Sequence, residues 1–318
     1  MTSLPEWMFL THYQPEDPGA VWIKDLAVVI DIDVERSPHR VLTPNVIALP
    51  HEAGYRMYYY SAQPERKDQG VSGCIVSAFS PDGNQWTKET GIRVDAHAPD
   101  AENRTLCPEV VTLPQGGYRM YYQAHGTSDR GLILSSFSAD SLQWEREAGI
   151  RLALEDAVCG SPRCLPLEDG RWRLYCHSYP NQPQGEGIHS GNHIISAISA
   201  DGLFFEVEPG VRIKQQQALE DYAVYAAEVL RLGDGSYRMY YAGWCQDPLE
   251  GRIFSARSKN GLDWIKDEGI CLDIGGLHQG SKVSEPCIIR LPDGRFRMYY
   301  EANDGAQEWR ILSATSSG

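Results

Sequence analysis

The sequence of 318 residues contains no apolar run long enough to cross a bilayer and no low-complexity tract. Met1 to Ala20 lacks the basic residue followed by an apolar stretch that marks a secretory signal. None of the eight cysteines forms a C-x-x-C pair, which argues against a zinc knuckle or a disulfide framework. We therefore expect a water-soluble, cytoplasmic protein with mostly buried, unpaired cysteines.

Basic residues are scarce. The chain has 29 Lys and Arg against 43 Asp and Glu, for a net charge of −14. Nucleic acids and anionic membranes bind basic surfaces, so both are excluded as expected partners. The net charge favours a neutral or cationic small molecule, and the 17 Tyr and 8 Trp have faces that suit the apolar faces of sugars.

One strand motif recurs five times along the chain. Every copy has an aromatic first residue, then Arg, and Tyr at the fourth position, and successive copies begin 54 to 65 residues apart. The copies are Tyr55-Arg-Met-Tyr-Tyr59, Tyr118-Arg-Met-Tyr-Tyr122, Trp172-Arg-Leu-Tyr-Cys176, Tyr237-Arg-Met-Tyr-Tyr241 and Phe296-Arg-Met-Tyr-Tyr300. This period suits a four-stranded propeller blade with its loops.

Each copy lies within a longer repeated unit. An apolar strand and a turn precede it, and a strand such as Cys74-Ile-Val-Ser-Ala78 and a turn with an aromatic anchor follow it. The last unit ends at Gly318 before any fourth strand, while Ala20-Val-Trp-Ile-Lys-Asp25 closely matches Leu262-Asp-Trp-Ile-Lys-Asp267. We expect the N-terminal segment to supply the missing outer strand and close the ring.

These repeats predict an all-β fold: a five-bladed β-propeller with four-stranded blades and the N-terminal segment completing the last blade. They predict one domain over residues 1–318, with blades at approximately 40–94, 105–152, 158–213, 225–272 and 283–318, the last completed by 20–30. Stacked β-sandwiches also contain many short strands, but they require neither five near-identical units nor an exchange of a strand between the termini.

The repeated strand, the Ile-x-Ser-Ala strand and the Ser-x-Asp-Gly-x-x-Trp turn resemble the five-bladed propeller superfamily of glycoside hydrolase families 32, 43, 62, 68, 117 and 130. The resemblance covers nearly the whole chain and specifies the scaffold, not a reaction. It implies an active site in a funnel at one end of the channel. Typical hydrolases of the superfamily place an Asp base on the first blade, an orienting Asp on the second and a Glu acid on the third.

Aligning the first strands of the units gives one inward-facing residue per blade: Asn45, Glu109, Arg163, Glu228 and Cys287. Asn45 stands where the superfamily has its base, and Arg163 where it has its acid. This departure argues against a simple family 43-like hydrolase.

Glu109 and Glu228 lie on the second and fourth blades, with Arg163 between them, so we expect the three side chains to converge. One interpretation is a catalytic carboxylate pair with Arg163 and Asn45 binding substrate. The other is a structural ion triad that closes the channel, because an adjacent Arg lowers the pKa of a carboxyl group and a general acid needs it raised. The sequence leaves both open.

Glu285 precedes Cys287 by two residues, so strand alternation places it on the same side and nearer the mouth. Its expected neighbours at that level are Thr43, Cys107, Ser161 and Ala226. A carboxylate among small residues has room for a ligand beside it, which makes Glu285 a third catalytic candidate. The alternative is a solvated residue of the rim.

Histidines and aromatic residues complete the candidate site. His125 and His177 end the second strands of adjacent blades and His193 begins a third strand, while Tyr225 and Trp244 lie where an aromatic wall could form. We count all five as candidate substrate-binding residues, with packing between blades as the alternative. No cofactor is required, although a mixed His and Glu set is compatible with a divalent cation in the channel.

Three functions fit these observations. The first is a carbohydrate-active, glycoside hydrolase-like enzyme that acts on a small saccharide or glycoside in the central funnel by carboxylate acid–base chemistry. The second is a non-hydrolytic enzyme of specialised metabolism on the same scaffold, such as a lyase, cyclase or transferase. The third is a propeller that binds a small molecule without catalysis.

Overall fold

The computed structural model describes residues 12–33, 39–50, 53–96, 103–125, 131–155, 157–180, 192–305 and 308–316. Two short strands lie near the N-terminus, β1 (Tyr13–Gln14) and β2 (Ile23–Lys24). Short 3-10 helices cover Pro64–Gln69 and Ala218–Glu220. Within the described ranges, no helix has the length and apolar character needed to span a membrane.

The remaining strands pair antiparallel in sequence order within repeated units, which we call blades. Blade 1 contains β3 (Val41–Ala48), β4 (Tyr55–Ala62), β5 (Gly73–Ser80) and β6 (Thr87–Lys88). Blade 2 contains β7 (Arg104–Thr112), β8 (Tyr118–His125), β9 (Gly131–Ser138) and β10 (Glu145–Arg146). Blade 3 contains β11 (Ala157–Pro166), β12 (Trp172–Pro180), β13 (His193–Ser199) and β14 (Glu206–Val207).

Blade 4 contains β15 (Ala223–Leu232), β16 (Tyr237–Cys245), β17 (Glu250–Ser258) and β18 (Trp264–Lys266). Blade 5 contains β19 (Lys282–Arg290), β20 (Phe296–Asn303) and β21 (Trp309–Ser316), and β2 is its fourth strand. The all-β propeller fold predicted from the sequence is confirmed.

The N-terminal segment completes blade 5, as the sequence predicts. Ile23 pairs with Thr315, and Lys24 with Ala314. Trp22 then takes the place that an aromatic anchor holds in every other blade, with its ring edge-on to Tyr240 at 5.6 Å. Strand β2 thereby closes the ring of blades.

The recurring motif explains how neighbouring blades are held together. Its fourth-position Tyr packs edge-on against the aromatic anchor of the next blade, and its hydroxyl donates to a backbone carbonyl in that blade's turn. These hydroxyl bonds run from Tyr58 to Ser141, Tyr121 to Gly202, Tyr175 to Gly261, Tyr240 to Gly19 and Tyr299 to Gly83. The last of them joins blade 5 to blade 1, so the contacts form a closed ring.

Each innermost strand carries one left-handed residue two positions before its inward-facing residue. These residues are Thr43, Cys107, Ser161, Ala226 and Glu285, with φ between 45° and 54°. The strand register shifts at the same place in all five blades. Residues other than glycine rarely adopt this backbone conformation. Where a fold enforces it, it is concentrated at functional sites.

Candidate active site

The channel floor consists of Asn45, Glu109, Arg163, Glu228 and Cys287. Their side chains converge as predicted, and all five residues are at most 2% exposed. Asn45, Glu109, Glu228 and Cys287 each accept a backbone N–H from the next blade, namely those of Val110, Cys164, Ile288 and Val46. The Arg163 guanidinium contains no acceptor atom, and its Nε–H instead donates to Glu228 Oε2 at 2.9 Å. The floor therefore links consecutive blades.

Glu109 and Glu228 have no free oxygen among the described residues. Glu109 Oε2 accepts the Asn45 amide at 2.8 Å, and Glu109 Oε1 lies 2.6 Å from Nε2 of His12. Burial disfavours the His12 imidazolium, but the Glu109 carboxylate outweighs this and raises the pKa of His12. Burial likewise raises the pKa of Glu228, against the opposing charge of Arg163. His12 and Arg163 thus lie against Glu109 and Glu228, and this pairing favours the structural interpretation of the two carboxyl groups.

Glu285 lies one level above the floor, among the neighbours that the sequence predicts. Its Oε1 accepts the Ser161 hydroxyl at 2.6 Å and lies 3.9 Å from Cys107 Sγ. Its Oε2 forms no hydrogen bond within the described part of the chain, and Arg163 Nη2 lies 3.8 Å away. Burial raises the pKa of Glu285, while Arg163 and Ser161 oppose the shift. Glu285 is 3% exposed, so it is not a solvated rim residue.

Glu301 is a second carboxylate at this level. It lies on β20, its Oε1 accepts the Ser284 hydroxyl at 2.6 Å, and its Oε2 accepts the Thr43 N–H at 3.0 Å. Burial and the nearby Glu285 raise the pKa of Glu301 to about 8, although these hydrogen bonds and Lys282 oppose the shift. Glu301 is therefore predominantly protonated at neutral pH.

An aromatic wall borders the two carboxylates. The Tyr225 ring contacts Trp244 at 5.6 Å and His177 at 6.0 Å, both edge-on. The Tyr225 hydroxyl lies near Ser284 and Trp244, and it makes no hydrogen bond of normal geometry to any described residue. His177 Nδ1 and Trp244 Nε1 are likewise buried without such a bond. Buried polar atoms are usually paired, so these groups are suited to a hydroxylated ligand.

Among the described residues, neither His125 nor His177 forms an ion pair with a carboxylate. Burial lowers the pKa of both His125 and His177 to about 3, so both are neutral. His125 Nε2 is 2.6 Å from Nε2 of Gln123, and His193 pairs in the strand ladder with Ser178. Among the described residues, no group of three or more His, Cys, Asp or Glu is arranged to hold a metal ion.

Sequence reasoning missed His12, Ser284 and Glu301. The signal for Glu301 was present, because the position directly after the recurring motif differs in every blade: Tyr60, Gln123, His177, Ala242 and Glu301. His12 precedes the repeats, and no pattern links it to Glu109. Its position depends on β1 pairing in parallel with β15.

Several solved structures are similar to this chain in fold. A glycoside hydrolase superposes with a TM-score of 0.77 at 16% identity, covering 94% of this chain and 93% of its own. A thermostable family-43 glycoside hydrolase superposes with a TM-score of 0.69 at 19% identity, covering 86% of this chain and 88% of its own. The endo-arabinase of Bacteroides thetaiotaomicron superposes with a TM-score of 0.66 at 14% identity, covering 92% of this chain and 97% of its own.

No protein-family model matches the sequence, and no curated protein is similar to it. At these identities the similarity concerns the fold. The chain shares the propeller fold of these glycoside hydrolases, the scaffold that its repeats resemble.

Proposed function

We propose that this protein is a carbohydrate-active, glycoside hydrolase-like enzyme that acts on a small saccharide or glycoside in the channel. The pair of buried carboxylates Glu285 and Glu301 carries the proposal. They occupy the level above the floor, beside an aromatic wall with unpaired polar atoms. The fold shared with glycoside hydrolases supports the same substrate class.

The two carboxyl groups suit different roles. Glu301 is protonated at neutral pH and can donate its proton to the leaving-group oxygen as the glycosidic C–O bond breaks. Glu285 has a free oxygen beside the Arg163 cation, whose charge opposes the rise that burial causes in the pKa of Glu285. That oxygen can take a proton from water as the water oxygen bonds to the anomeric carbon.

Glu109 and Glu228 fit this chemistry less well. Each of their oxygens already lies against a donor, from His12, Asn45, Arg163 or a backbone N–H group, whereas Glu285 Oε2 has no hydrogen bond among the described residues. We propose that they hold the floor on which Glu285 and Glu301 rest, and that Arg163 positions Glu285.

A screen of nitrophenyl glycosides and natural oligosaccharides tests the proposal. We expect turnover of at least one substrate, and a loss of about 100-fold or more for Glu285→Gln. Glu145→Gln, on the exposed strand β10, is the matched control and should retain full activity. Saccharide binding without any product, or full turnover by Glu285→Gln, would contradict the proposal.

A further inference from the structure

The upper rim of the channel has an uneven distribution of charge. Five positions are structurally equivalent there, each five residues before a floor residue: Arg40, Arg104, Val158, Ala223 and Lys282. Parallel pairing to the preceding blade confirms the equivalence of four, through Trp309–Arg40, Gly73–Arg104, Asn192–Ala223 and Gly251–Lys282. Cations thus occupy blades 5, 1 and 2 in succession, while small apolar residues occupy blades 3 and 4.

Of the three rim cations, Lys282 is the one whose charge acts on the proposed catalytic pair, because it opposes the rise in the pKa of Glu301. Its Nζ lies 4.0 Å from the centroid of the Trp244 ring, and it is partly exposed. It precedes Ser284, the residue that donates to Glu301, by two positions. Among the described residues, no carboxylate lies within ion-pair distance of Lys282. Burial lowers the pKa of Lys282, and Glu301 offsets this only in part.

Arg104 and Arg40 form the rest of this arc. Both act on the Tyr60 hydroxyl, opposing the rise that burial causes in its pKa, so both cations lie near the same phenol. Arg104 has no carboxylate partner among the described residues, and it contributes to lowering the pKa of His125. Lys282 and Arg104 thus have no carboxylate partner among the described residues, in a chain of net charge −14, and this indicates an anionic ligand.

The adjoining half of the rim, which begins at Trp244 beside Lys282, is aromatic. Blades 3 and 4 contribute His177, Tyr225 and Trp244, which suit the apolar face of a sugar ring. A ligand that satisfied both halves would combine a sugar ring with a negatively charged group. The net charge of the chain suggests a neutral or cationic ligand, but the local charges at the rim determine the field there.

We propose that the substrate is an acidic saccharide, with its carboxylate or sulfate group bound by Lys282 at the cationic half of the rim. This inference rests on the proposed function and specifies its substrate class. Lys282 is a specificity-determining residue in this account, and Arg104 adds to the attraction without direct contact.

Calorimetric binding of D-glucuronate, D-galacturonate and glucose 6-sulfate, each compared with its neutral sugar, tests this directly. We expect an acidic sugar to bind at least about tenfold more tightly than its neutral counterpart, and this preference to weaken as salt rises. Lys282→Met should abolish the preference and Lys282→Arg should retain it. Lys88→Met, on the exposed strand β6, should leave it unchanged. The uronates and the sulfate distinguish the two anionic groups.

Binding and turnover separate this inference from the proposed function. Preferential binding of an acidic sugar that depends on Lys282 supports the inference, even when no glycoside is cleaved. Turnover of neutral glycosides with equal binding of acidic and neutral sugars overturns the inference alone. A preference that persists in Lys282→Met also overturns it.

Discussion

Glu301 occupies a position whose structural role recurs in another blade. Gln123, at the equivalent place in blade 2, accepts the N–H of Ser161, just as Glu301 accepts the N–H of Thr43. Both therefore bond to the left-handed residue of the next blade. Blade 5 differs because the acceptor there is a titratable group next to a second carboxylate. The same structural position that holds a neutral amide in blade 2 therefore holds a candidate catalytic acid in blade 5.

The raised pKa of Glu301 predicts how stability depends on pH. A carboxyl group whose folded-state pKa exceeds its ordinary value of 4.5 stabilises the fold fully below that value and loses this contribution as pH rises to about 8. Glu301→Gln has no such loss. We expect its stability relative to the parent protein to increase between pH 4.5 and 8 and to level off above, as measured by urea unfolding.

Glu206→Gln, on the exposed strand β14, is the control for this measurement and should show no such trend. A stability difference between Glu301→Gln and the parent protein that is constant from pH 4.5 to 8 would show that Glu301 titrates normally. The proposed acid would then be deprotonated at neutral pH.

At the scale of single strands, the channel floor is formed by one inward-facing residue from each inner strand: β3, β7, β11, β15 and β19. Four of their inward residues accept the N–H of the next strand, and the fifth, Arg163, donates to Glu228. Sequence alignment of the repeats located these five residues correctly. It left their role open, because the hydrogen bonds depend on how neighbouring blades are oriented.

Glu109→Gln distinguishes the two interpretations of the floor. It removes the charge that pairs with His12 and Arg163 and leaves buried cations undercompensated. We expect a loss of about 3 kcal/mol or more in the free energy of unfolding, with kcat per folded molecule within about threefold of the parent. Unfolding curves and assays on the folded fraction provide both values.

A loss of 100-fold or more in kcat for a folded Glu109→Gln protein would contradict this expectation. It would restore the catalytic interpretation of Glu109 that the sequence also permits. Glu145→Gln again provides the comparison for a carboxylate exposed to solvent.

For the whole molecule, ring closure depends on the N-terminal segment. Trp22 packs edge-on against Tyr240, and the Gly19 carbonyl accepts the hydroxyl of the same Tyr. The match between residues 20–25 and 262–267 was enough to predict this closure. Nothing in the sequence indicated that the segment also extends to the floor through His12, because β1 is only two residues long.

Trp22→Ala tests the contribution of ring closure to stability. Trp22 is buried, and truncating a buried Trp typically costs about 3–5 kcal/mol. Ile23→Ala lies next to it in the same strand but is 74% exposed, and it should change stability by less than about 0.5 kcal/mol. Thermal unfolding of both variants measures this, and equal effects would contradict closure through Trp22.

A crystal structure of the protein soaked with a saccharide that it binds would test the central claim most directly. The account predicts that the sugar lies above the floor, against Tyr225, with the glycosidic oxygen or a hydroxyl within hydrogen-bonding distance of Glu301 and another hydroxyl within that distance of Glu285. A sugar bound outside the channel, or one that displaces His12 to reach Glu109 and Glu228, would contradict it.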